Sequence, residues 1–418
     1  MAKFEILGGI PLKGKIKVAG NKNAILPAMA AALLTDEKIT LTNVPDIGDV
    51  EVMAKLLEQL GCEVKGVGSG KLEICAKSIK SSNLDTDLVS QLRASILLSG
   101  PLLARTGKFS MRHPGGDIIG RRGVDTHLEA LSTLGVRISE DDEAYSGKVS
   151  KFQSGKIFLS EASVTATGNT LMTASLTPGV TIIKNAASEP HVSDLANMLT
   201  KMGAKISGAG SNLLVAEGVE KLSGAEFEVG PDYIEAGTFA AAAAVTGGDV
   251  EIEGVNLDDM EMILIHLSKM GVNVTPIGNS LKIAPSKLVA AAKIDSGLWP
   301  GFPTDLMSAM IVLATQADGV TLLHDWLYES RMFFVDKLIS MGAQITICDP
   351  HRVLVYGPSK LRAQELDTPD IRAGIALVIA ALAAEGKSLI NRVELIDRGY
   401  EKIEERLSKL GAKIKRIS

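Results

Sequence analysis

Six copies of one short pattern constrain the fold of this chain more than any other feature. Each copy reads Leu, two variable residues, Leu or Met, Gly, a small residue, a variable residue, and then Val or Ile. The glycines of the six copies stand about 70 residues apart, at positions 61, 135, 203, 271, 342 and 411. A helix that ends at a left-handed glycine cap and leads directly into a strand produces this pattern. Each repeat is therefore expected to read helix, strand, helix, strand, turn, strand.

The repeat predicts an α/β (α+β) fold built from two domains of three repeats each. Helices and strands alternate within every repeat, and 418 residues exceed what one hydrophobic core usually serves. The opening strands, Phe4–Leu7 and Lys15–Val18, match the end of a repeat and are expected to complete the sixth. Residues 22–230 would then form a domain inserted between 1–21 and 231–418, with hinges at the two crossings.

Composition narrows the range of partners and compartments. The formal net charge of −5 gives no basic excess, which argues against a general role on nucleic acid or at a membrane surface. The cysteines Cys62, Cys75 and Cys348 lack CxxC spacing and fit a reducing compartment, and their apolar, strand-like surroundings predict buried positions. No apolar leader is present, and the longest apolar runs are too short to span a bilayer. We therefore expect a soluble cytoplasmic protein.

Residues 113–127 carry the most suggestive chemical pattern, His-Pro-Gly-Gly-Asp-Ile-Ile-Gly-Arg-Arg-Gly-Val-Asp-Thr-His. The proline and the adjacent glycines predict a loop, which lies between a strand-like and a helix-like run. The loop holds one lone carboxylate, Asp117, followed by Arg121 and Arg122 at the entrance of the helix. A glycine loop with one acid and two cations at a helix N-terminus suits chemistry on anions, and a charged surface turn explains the pattern equally well.

Other charged residues also stand at helix entrances, namely Lys22, Arg93, Asp305, Arg331, Arg372 and Arg398. Because arginine binds carboxylate and phosphate in a bidentate manner, the set predicts a cleft for an anionic ligand, lined from both domains. Taken singly, each cation is explained by a surface ion pair and Asp305 by helix capping. No histidine spacing indicates a metal site. Gly66–Lys71 looks like a phosphate loop but lies between two strands, which predicts a hairpin turn.

Longer motifs are similar to those of a known family, and they include Gly20-Asn-Lys-Asn-Ala24, Leu92-Arg-Ala-Ser95, Pro114-Gly-Gly, Phe302-Pro-Thr-Asp305, Asp370-Ile-Arg-Ala-Gly374 and Ile396-Asp-Arg-Gly-Tyr-Glu401. Over essentially its whole length the chain resembles the UDP-N-acetylglucosamine enolpyruvyl transferases (1-carboxyvinyltransferases) of the EPSP synthase family. The resemblance implies two inside-out α/β barrel domains of three repeats each that close on the substrates. It also implies that the loop 113–127 is a mobile catalytic lid of the inserted domain.

The resemblance assigns residues to two small-molecule substrates and implies no cofactor. The residues assigned to phosphoenolpyruvate are Lys22, Asn23, Arg122, Arg372 and Arg398. The residues assigned to UDP-N-acetylglucosamine are Asn23, Arg93, Arg122, Gly123, Val124, Asp125, Thr126, Ser163, Val164, Thr165, Asp305, Leu327 and Arg331. The residues assigned to catalysis are Lys22, Asp117, Asp305 and Arg398.

The implied reaction is the first committed step of peptidoglycan synthesis, and therefore serves cell wall biogenesis, cell shape and cell division. The enolpyruvyl group moves to the sugar 3-hydroxyl by addition and elimination, with Asp305 as base, Asp117 as acid and cations offsetting the negative charge. Most family members carry Cys where this chain has Asp117. A carboxylate cannot form the stable thioether that a thiolate forms with fosfomycin, so insensitivity is expected. Gly123 and Thr165 also depart from the family pattern, at the uridine contacts.

Two other functions stay open at this point. An enolpyruvylshikimate-phosphate synthase shares the fold and the donor, but it would carry its own signatures where this chain reads Leu92-Arg-Ala-Ser95. A non-catalytic nucleotide-sugar sensor on the same fold is suggested by the altered uridine contacts. Lys22, Asp305, Arg372 and Arg398 argue against the sensor, because a sensor has no use for residues that hold phosphoenolpyruvate.

Overall fold

The structure is a computed structural model that describes residues 2–84, 87–117, 119–120 and 123–417. It separates into two compact units. Unit 1 comprises Met1–Ala19, Asp117–Arg121 and Pro231–Ser418, and unit 2 comprises Gly20–Gly116 and Arg122–Gly230. Each unit has its own hydrophobic cluster, and the two clusters share no residue. Residues 117–121, which the sequence analysis placed in the inserted domain with the rest of the lid, group with unit 1.

The secondary structure follows the repeat along the chain. The first two strands are β1 (Lys3–Leu7) and β2 (Lys13–Lys17). The next elements, all in unit 2, are α1 (Lys22–Ala31), β3 (Lys38–Thr42), α2 (Gly48–Gln59), β4 (Glu63–Lys65), β5 (Lys71–Cys75), β6 (Asn83–Leu84), α3 (Asp87–Gln91), α4 (Ser99–Thr106), β7 (Lys108–Arg112), α5 (Asp125–Thr133), β8 (Arg137–Glu140), β9 (Ala144–Lys148), β10 (Lys156–Phe158), α6 (Val164–Ala174), β11 (Val180–Lys184), α7 (Pro190–Lys201), β12 (Lys205–Ser207), β13 (Leu213–Glu217) and β14 (Ala225–Glu228).

The second half of the chain repeats this order in unit 1. Its elements are α8 (Tyr233–Val245), β15 (Asp249–Glu253), α9 (Glu261–Lys269), β16 (Asn273–Ile277), β17 (Ser280–Ala284), β18 (Lys293–Asp295), α10 (Met307–Thr315), β19 (Gly319–His324), α11 (Val335–Ser340), β20 (Gln344–Asp349), β21 (Arg352–Gly357), β22 (Glu365–Asp367), α12 (Ile371–Ala383), β23 (Lys387–Asn391), α13 (Glu394–Asp397), α14 (Ile403–Lys409) and β24 (Lys413–Ile417). Short 3₁₀ helices at Arg93–Leu98, Thr304–Leu306 and Arg331–Phe334 precede α4, α10 and α11.

The predicted glycine caps are confirmed. Every repeat glycine has a positive φ, from 75° to 102°, and ends the second helix of its repeat just before a strand. A side chain is disfavoured in this left-handed conformation, whereas glycine adopts it at no steric cost. The fold class is also confirmed, because each repeat contains both helices and a sheet.

Six four-stranded sheets carry the repeats, and in each sheet one outer strand runs parallel to its neighbour. The strand orders in unit 2 are β14-β3-β5-β4, β6-β7-β9-β8 and β10-β11-β13-β12. The orders in unit 1 are β16-β17-β15-β2, β18-β19-β21-β20 and β22-β23-β1-β24. The parallel outer strand was not expected from the sequence, since it is only two to five residues long and lacks clear periodicity.

The placement of the opening strands was half right. β1 completes the sixth repeat, because it lies between β23 and β24. β2 was expected in the same sheet, but it pairs in parallel with β15 of the fourth repeat. In exchange β14, which precedes α8 in the chain, pairs in parallel with β3 of the first repeat. Each of these outer strands therefore stands just before one crossing between the units and pairs with the first strand after the other crossing.

The first helix of each repeat lies inside its unit, and the sheets lie outside. In unit 1, α8, α10 and α12 pack against one another and are buried on nearly all sides. Their sequences are correspondingly apolar around the whole circumference, unlike those of α2 and α7, which alternate buried and exposed residues. Strands such as β11 and β15 bury alternate side chains and expose the others. This arrangement is the inside-out order that the resemblance implied.

Several local predictions can be compared with the structure. Gly66–Lys71 does join two antiparallel strands, β4 and β5, so the hairpin turn is confirmed. The next hairpin along the chain is formed by β8 and β9, which pair antiparallel. Cys62 is buried, but Cys75 is partly exposed and Cys348 is exposed on an outer strand, β20. Within the described ranges, no helix combines the length and apolarity that crossing a bilayer requires.

Candidate active site

Asp305 is held by two arginines at the entrance of α10. It lies in the 3₁₀ turn Thr304–Leu306, and a quarter of its side chain is exposed. Arg372 donates from Nε and Nη2 to Oδ2, over 3.0 and 2.8 Å, while Arg331 donates from Nη2 to Oδ1 over 3.2 Å. Charge-assisted bonds of this kind fix the orientation of a carboxylate and favour its ionised form.

Arg372 is nearly buried in the first turn of α12. Burial opposes its positive charge, but the Asp305 carboxylate and the Tyr400 phenol outweigh burial and raise the pKa of Arg372 well above its ordinary value. Tyr400 accepts a hydrogen bond from Arg372 Nη1 at 3.0 Å, and its burial raises the pKa of the phenol. Asp370 caps α12 by accepting from the backbone N–H groups of Arg372 and Ala373. The position of Arg372 is thus fixed on three sides.

Asp117 is paired with Arg398 in unit 1. The distance between Arg398 Nη1 and Asp117 Oδ1 is 2.7 Å, and each side chain is about one-fifth exposed. Two residues further, the carbonyl oxygen of Ile119 accepts a 3.1 Å hydrogen bond from the backbone N–H of Ser330. These bonds explain why this part of the lid groups with unit 1. Both acids that the resemblance assigns to catalysis therefore bond arginines that it assigns to phosphoenolpyruvate.

Asp325 is a buried carboxylate that the sequence analysis missed. It is completely buried, and its Oδ1 accepts from Ser296 Oγ at 3.0 Å and from the backbone N–H of Leu327 at 3.1 Å. Its Oδ2 accepts from Thr304 Oγ1 and lies 3.6 Å from Arg331 Nε. No local pattern marks Asp325, since it stands alone in the loop after β19. Only the tertiary structure brings its partners together.

In unit 2, Lys22 is the first residue of α1 and pairs with a second buried carboxylate that the sequence analysis missed. The distance from Lys22 Nζ to Asp49 Oδ2 is 2.9 Å, and the two side chains are 12% and 3% exposed. Asn21 caps the helix by accepting from the backbone N–H of Asn23 at 2.7 Å. This pairing limits the reach of the Lys22 ammonium group, while a small part of the Lys22 side chain stays exposed.

Arg93 forms hydrogen bonds with two residues of the loop 113–127. Its guanidinium donates to the carbonyl oxygen of Pro114 at 3.3 Å and to that of Gly123 at 2.6 Å. Gly116 lies so close that a Cβ there would stand 2.8 Å from Arg93 Cβ. Arg93 therefore holds the loop at Pro114 and Gly123, both in unit 2, in addition to the sugar contact that the resemblance assigns to it.

Some of the unit 2 residues assigned to the nucleotide sugar lie around α5 and α6. Thr126 Oγ1 lies 3.0 Å from Ser160 Oγ, and Ser163 caps α6 by accepting from the backbone N–H of Ala166. Thr165 Oγ1 lies 3.0 Å from Nε2 of His127. His127 is buried, and its Nδ1 lies 3.2 Å from Nδ2 of Asn169. Because that amide nitrogen can only donate, Nδ1 is the acceptor and Nε2–H donates to Thr165.

The other residues that the resemblance assigns to the substrates lie in both units. Val124 and Asp125 begin α5, Val164 begins α6, and Leu327 lies beside Asp325. Arg122 was assigned to both substrates; like Arg121, it lies outside the described residues. None of the described His, Cys, Asp and Glu residues form a group of three that could hold a metal ion. Unit 1 thus holds Asp117, Asp305 and three arginines, and unit 2 holds Lys22 and the polar ends of α5 and α6.

Known proteins are similar to this chain in sequence and in fold. The family model of EPSP synthase (3-phosphoshikimate 1-carboxyvinyltransferase) matches residues 6–407. UDP-N-acetylglucosamine 1-carboxyvinyltransferase of Treponema denticola is 50% identical over 422 residues, covering 99% of each chain. The protein of the same name from Bradyrhizobium diazoefficiens is 46% identical and covers 99% of this chain and 98% of its own. Among solved structures, the enolpyruvyl transferase NikO from Streptomyces tendae matches with a TM-score of 0.90 at 23% identity, covering 99% of this chain and 98% of its own, which supports the fold.

Proposed function

This chain belongs to the EPSP synthase family and within it to the UDP-N-acetylglucosamine 1-carboxyvinyltransferases, and we propose that it transfers the enolpyruvyl group of phosphoenolpyruvate to the 3-hydroxyl of UDP-N-acetylglucosamine. Phosphate is the second product, and the reaction commits the nucleotide sugar to peptidoglycan synthesis. We place it in the cytoplasm, which the three free cysteines favour. The substrates are small molecules, and the chemistry needs no cofactor.

The observation that carries this proposal is the pairing of Asp305 with Arg372 and of Asp117 with Arg398. Addition requires a base at the sugar hydroxyl and an acid at C3 of the donor. The two arginines on Asp305 favour the ionised carboxylate that a base must be. Asp117 has the opposite requirement, because it must carry a proton to act as an acid.

Arg398 stands between these two requirements, because it pairs with Asp117 and is also assigned to phosphoenolpyruvate. The donor carries several negative charges, which attract a guanidinium group. We propose that Arg398 turns from Asp117 to the donor when phosphoenolpyruvate binds, and that Asp117 then serves as the acid at C3.

The bond changes then follow in two steps. In the first, the sugar 3-oxygen attacks C2 of phosphoenolpyruvate, Asp305 takes the hydroxyl proton, and Asp117 protonates C3, which gives a tetrahedral phosphoketal with a methyl group. In the second, the bond from C2 to the phosphate oxygen breaks, the methyl group returns a proton to Asp117, and the enol ether forms. The phosphate leaves with the proton that Asp305 took, which regenerates the base. Lys22, Arg372 and Arg398 are proposed to offset the charge on the donor.

Release of phosphate from phosphoenolpyruvate tests this function. We expect release with UDP-N-acetylglucosamine and none with shikimate 3-phosphate. Asp305→Asn and Asp117→Asn should each lower kcat by about 10²- to 10⁴-fold, the range typical of general acid–base groups. Asp36→Asn, which removes an exposed carboxylate that pairs with Lys221, is the matched control and should retain activity. Release with shikimate 3-phosphate alone would assign the chain to the sister enzyme, and release with neither acceptor would favour a nucleotide-sugar sensor.

A further inference from the structure

Asp325 connects three parts of unit 1 that surround Asp305. One Asp325 oxygen binds the hydroxyl of Thr304, the residue directly before Asp305, and lies beside Nε of Arg331, whose Nη2 binds Asp305. The other oxygen binds the backbone N–H of Leu327. Asp305 is therefore linked to Asp325 twice, through its own backbone and through a shared arginine.

The surroundings of Asp325 hold its carboxylate in one orientation. Its backbone N–H donates to the carbonyl oxygen of His351 at 2.8 Å, and its carbonyl oxygen accepts from His351 Nδ1 at 2.6 Å. Ser296 donates its hydroxyl to Oδ1, and the carbonyl oxygen of Ser296 accepts from the indole N–H of Trp326 at 2.8 Å. A buried carboxylate is costly unless its oxygens accept hydrogen bonds, and this one has acceptor contacts at both oxygens.

We propose that Asp325 is a positioning residue for Asp305, which fixes the base through Thr304 and Arg331 and fixes the backbone at Leu327. The inference rests on the proposed function, in which Asp305 is the base. A misplaced base slows the chemical step far more than it weakens binding of the donor, because small displacements of reacting groups carry large rate penalties. Asp325 has no described contact with Arg372 or Arg398, the unit 1 residues assigned to the donor.

Two independent changes test the link between Asp325 and Asp305. Asp325→Asn removes the charge at nearly constant volume, and Thr304→Val removes the hydroxyl at nearly constant shape. We expect each to lower kcat at least about 30-fold, with KM for phosphoenolpyruvate within about threefold of the wild-type value. Thr304→Ser keeps the hydroxyl and should restore kcat. Asp295→Asn, which removes an exposed carboxylate at the end of β18, is the control and should match the wild type.

The double variant separates positioning from general stabilisation of the fold. If the two residues act through one hydrogen bond, Asp325→Asn with Thr304→Val should be no slower than Asp325→Asn alone. The proposal would be overturned if the loss of kcat in the double variant equalled the product of the two single losses. A kcat within threefold of wild type in Asp325→Asn would also overturn it. If Asp325→Asn does not fold, the Thr304→Val and Thr304→Ser pair decides by itself: equal kcat in the two would overturn it.

A second readout keeps this inference distinct from the proposed function. If wild-type protein releases no phosphate with either acceptor, the proposed function fails, and the positioning claim is judged on Trp326. In a Trp299→Phe background Trp326 is the only tryptophan, and acrylamide quenching of its fluorescence reports the loop. Asp325→Ala should at least double the quenching constant, because the loop loses the bonds to Leu327 and Ser296. An unchanged constant would overturn the claim.

Discussion

Acidification should destabilise unit 2 through the buried histidine His127. Burial lowers the pKa of His127 from 6.5 to about 3, and the positive charge of Arg93 adds to the effect. The folded state therefore excludes a proton that the unfolded chain binds below pH 6.5. Since the folded pKa is the lower one, the stability of the unit falls as the pH drops from about 6.5 to about 3, and it falls no further below that.

The size of the effect follows from the two pKa values. Each pH unit within this window costs about 1.4 kcal/mol of unfolding free energy, so pH 5 should cost about 2 kcal/mol relative to neutral pH. That is a large part of the total stability of an ordinary domain. In His127→Gln this contribution is absent, because glutamine does not titrate, although its amide can still donate to Thr165.

Urea unfolding between pH 5 and pH 7.5 measures the difference. Far-UV circular dichroism follows both units, whereas tryptophan fluorescence follows unit 1 alone, because Trp299 and Trp326 both lie there. We expect the dichroism transition of the wild type to lose about 2 kcal/mol more than that of His127→Gln on going to pH 5. The control His113→Gln, which removes a partly exposed histidine of the same unit, should behave as the wild type. Equal pH dependence in the wild type and His127→Gln would refute the reasoning.

Three further predictions concern the lid, a buried ion pair and an inhibitor. Gly115→Ala should lower kcat at least about tenfold, because the new Cβ would stand 1.6 Å from the Ser90 carbonyl oxygen and would displace the lid. The control is Gly155→Ala, which has no atom within 4 Å of the new Cβ and should match the wild type in the same kinetic assay. Glu235→Ala should cost unit 1 about 3–5 kcal/mol of unfolding free energy, because it leaves the buried guanidinium of Arg406 without its carboxylate. Urea unfolding followed by tryptophan fluorescence measures the loss, and a smaller loss would show that Arg406 finds other partners. Fosfomycin should not inactivate the wild type but should inactivate Asp117→Cys, as judged by residual turnover, and rapid inactivation of the wild type would contradict the assignment of Asp117.

The sequence predicted the repeat and its boundaries well because the signals are local. A glycine cap needs only its own backbone angle, so six glycines marked six helix ends correctly. The sheet that receives β2 could not be read in this way. β2 resembles any short amphipathic strand, and its pairing with β15 joins residues more than 200 positions apart.

For the charged residues of the candidate site, the sequence likewise indicated the residues but not their pairings. Asp305, Arg372 and Arg398 stand at helix entrances and within longer motifs, so the sequence marked them as candidates. Their pairings did not follow from that. Arg372 could have paired with any acid in unit 1, and only the packing of α10 beside α12 brings it to Asp305. Their roles in binding and catalysis stay predictions until the variants are measured.

The sequence by itself determined the repeat, the mixed α/β class, the family and the residue types available for the chemistry. These properties depend on local conformational preference and on short motifs, both of which can be recognised without knowledge of the fold. The tertiary structure decided which sheet each opening strand joins, that Asp117 bonds Arg398, and that Asp325 lies buried between Thr304, Arg331 and Leu327. A buried carboxylate acquires its partners from chain segments distant in sequence, so no local pattern could have indicated it.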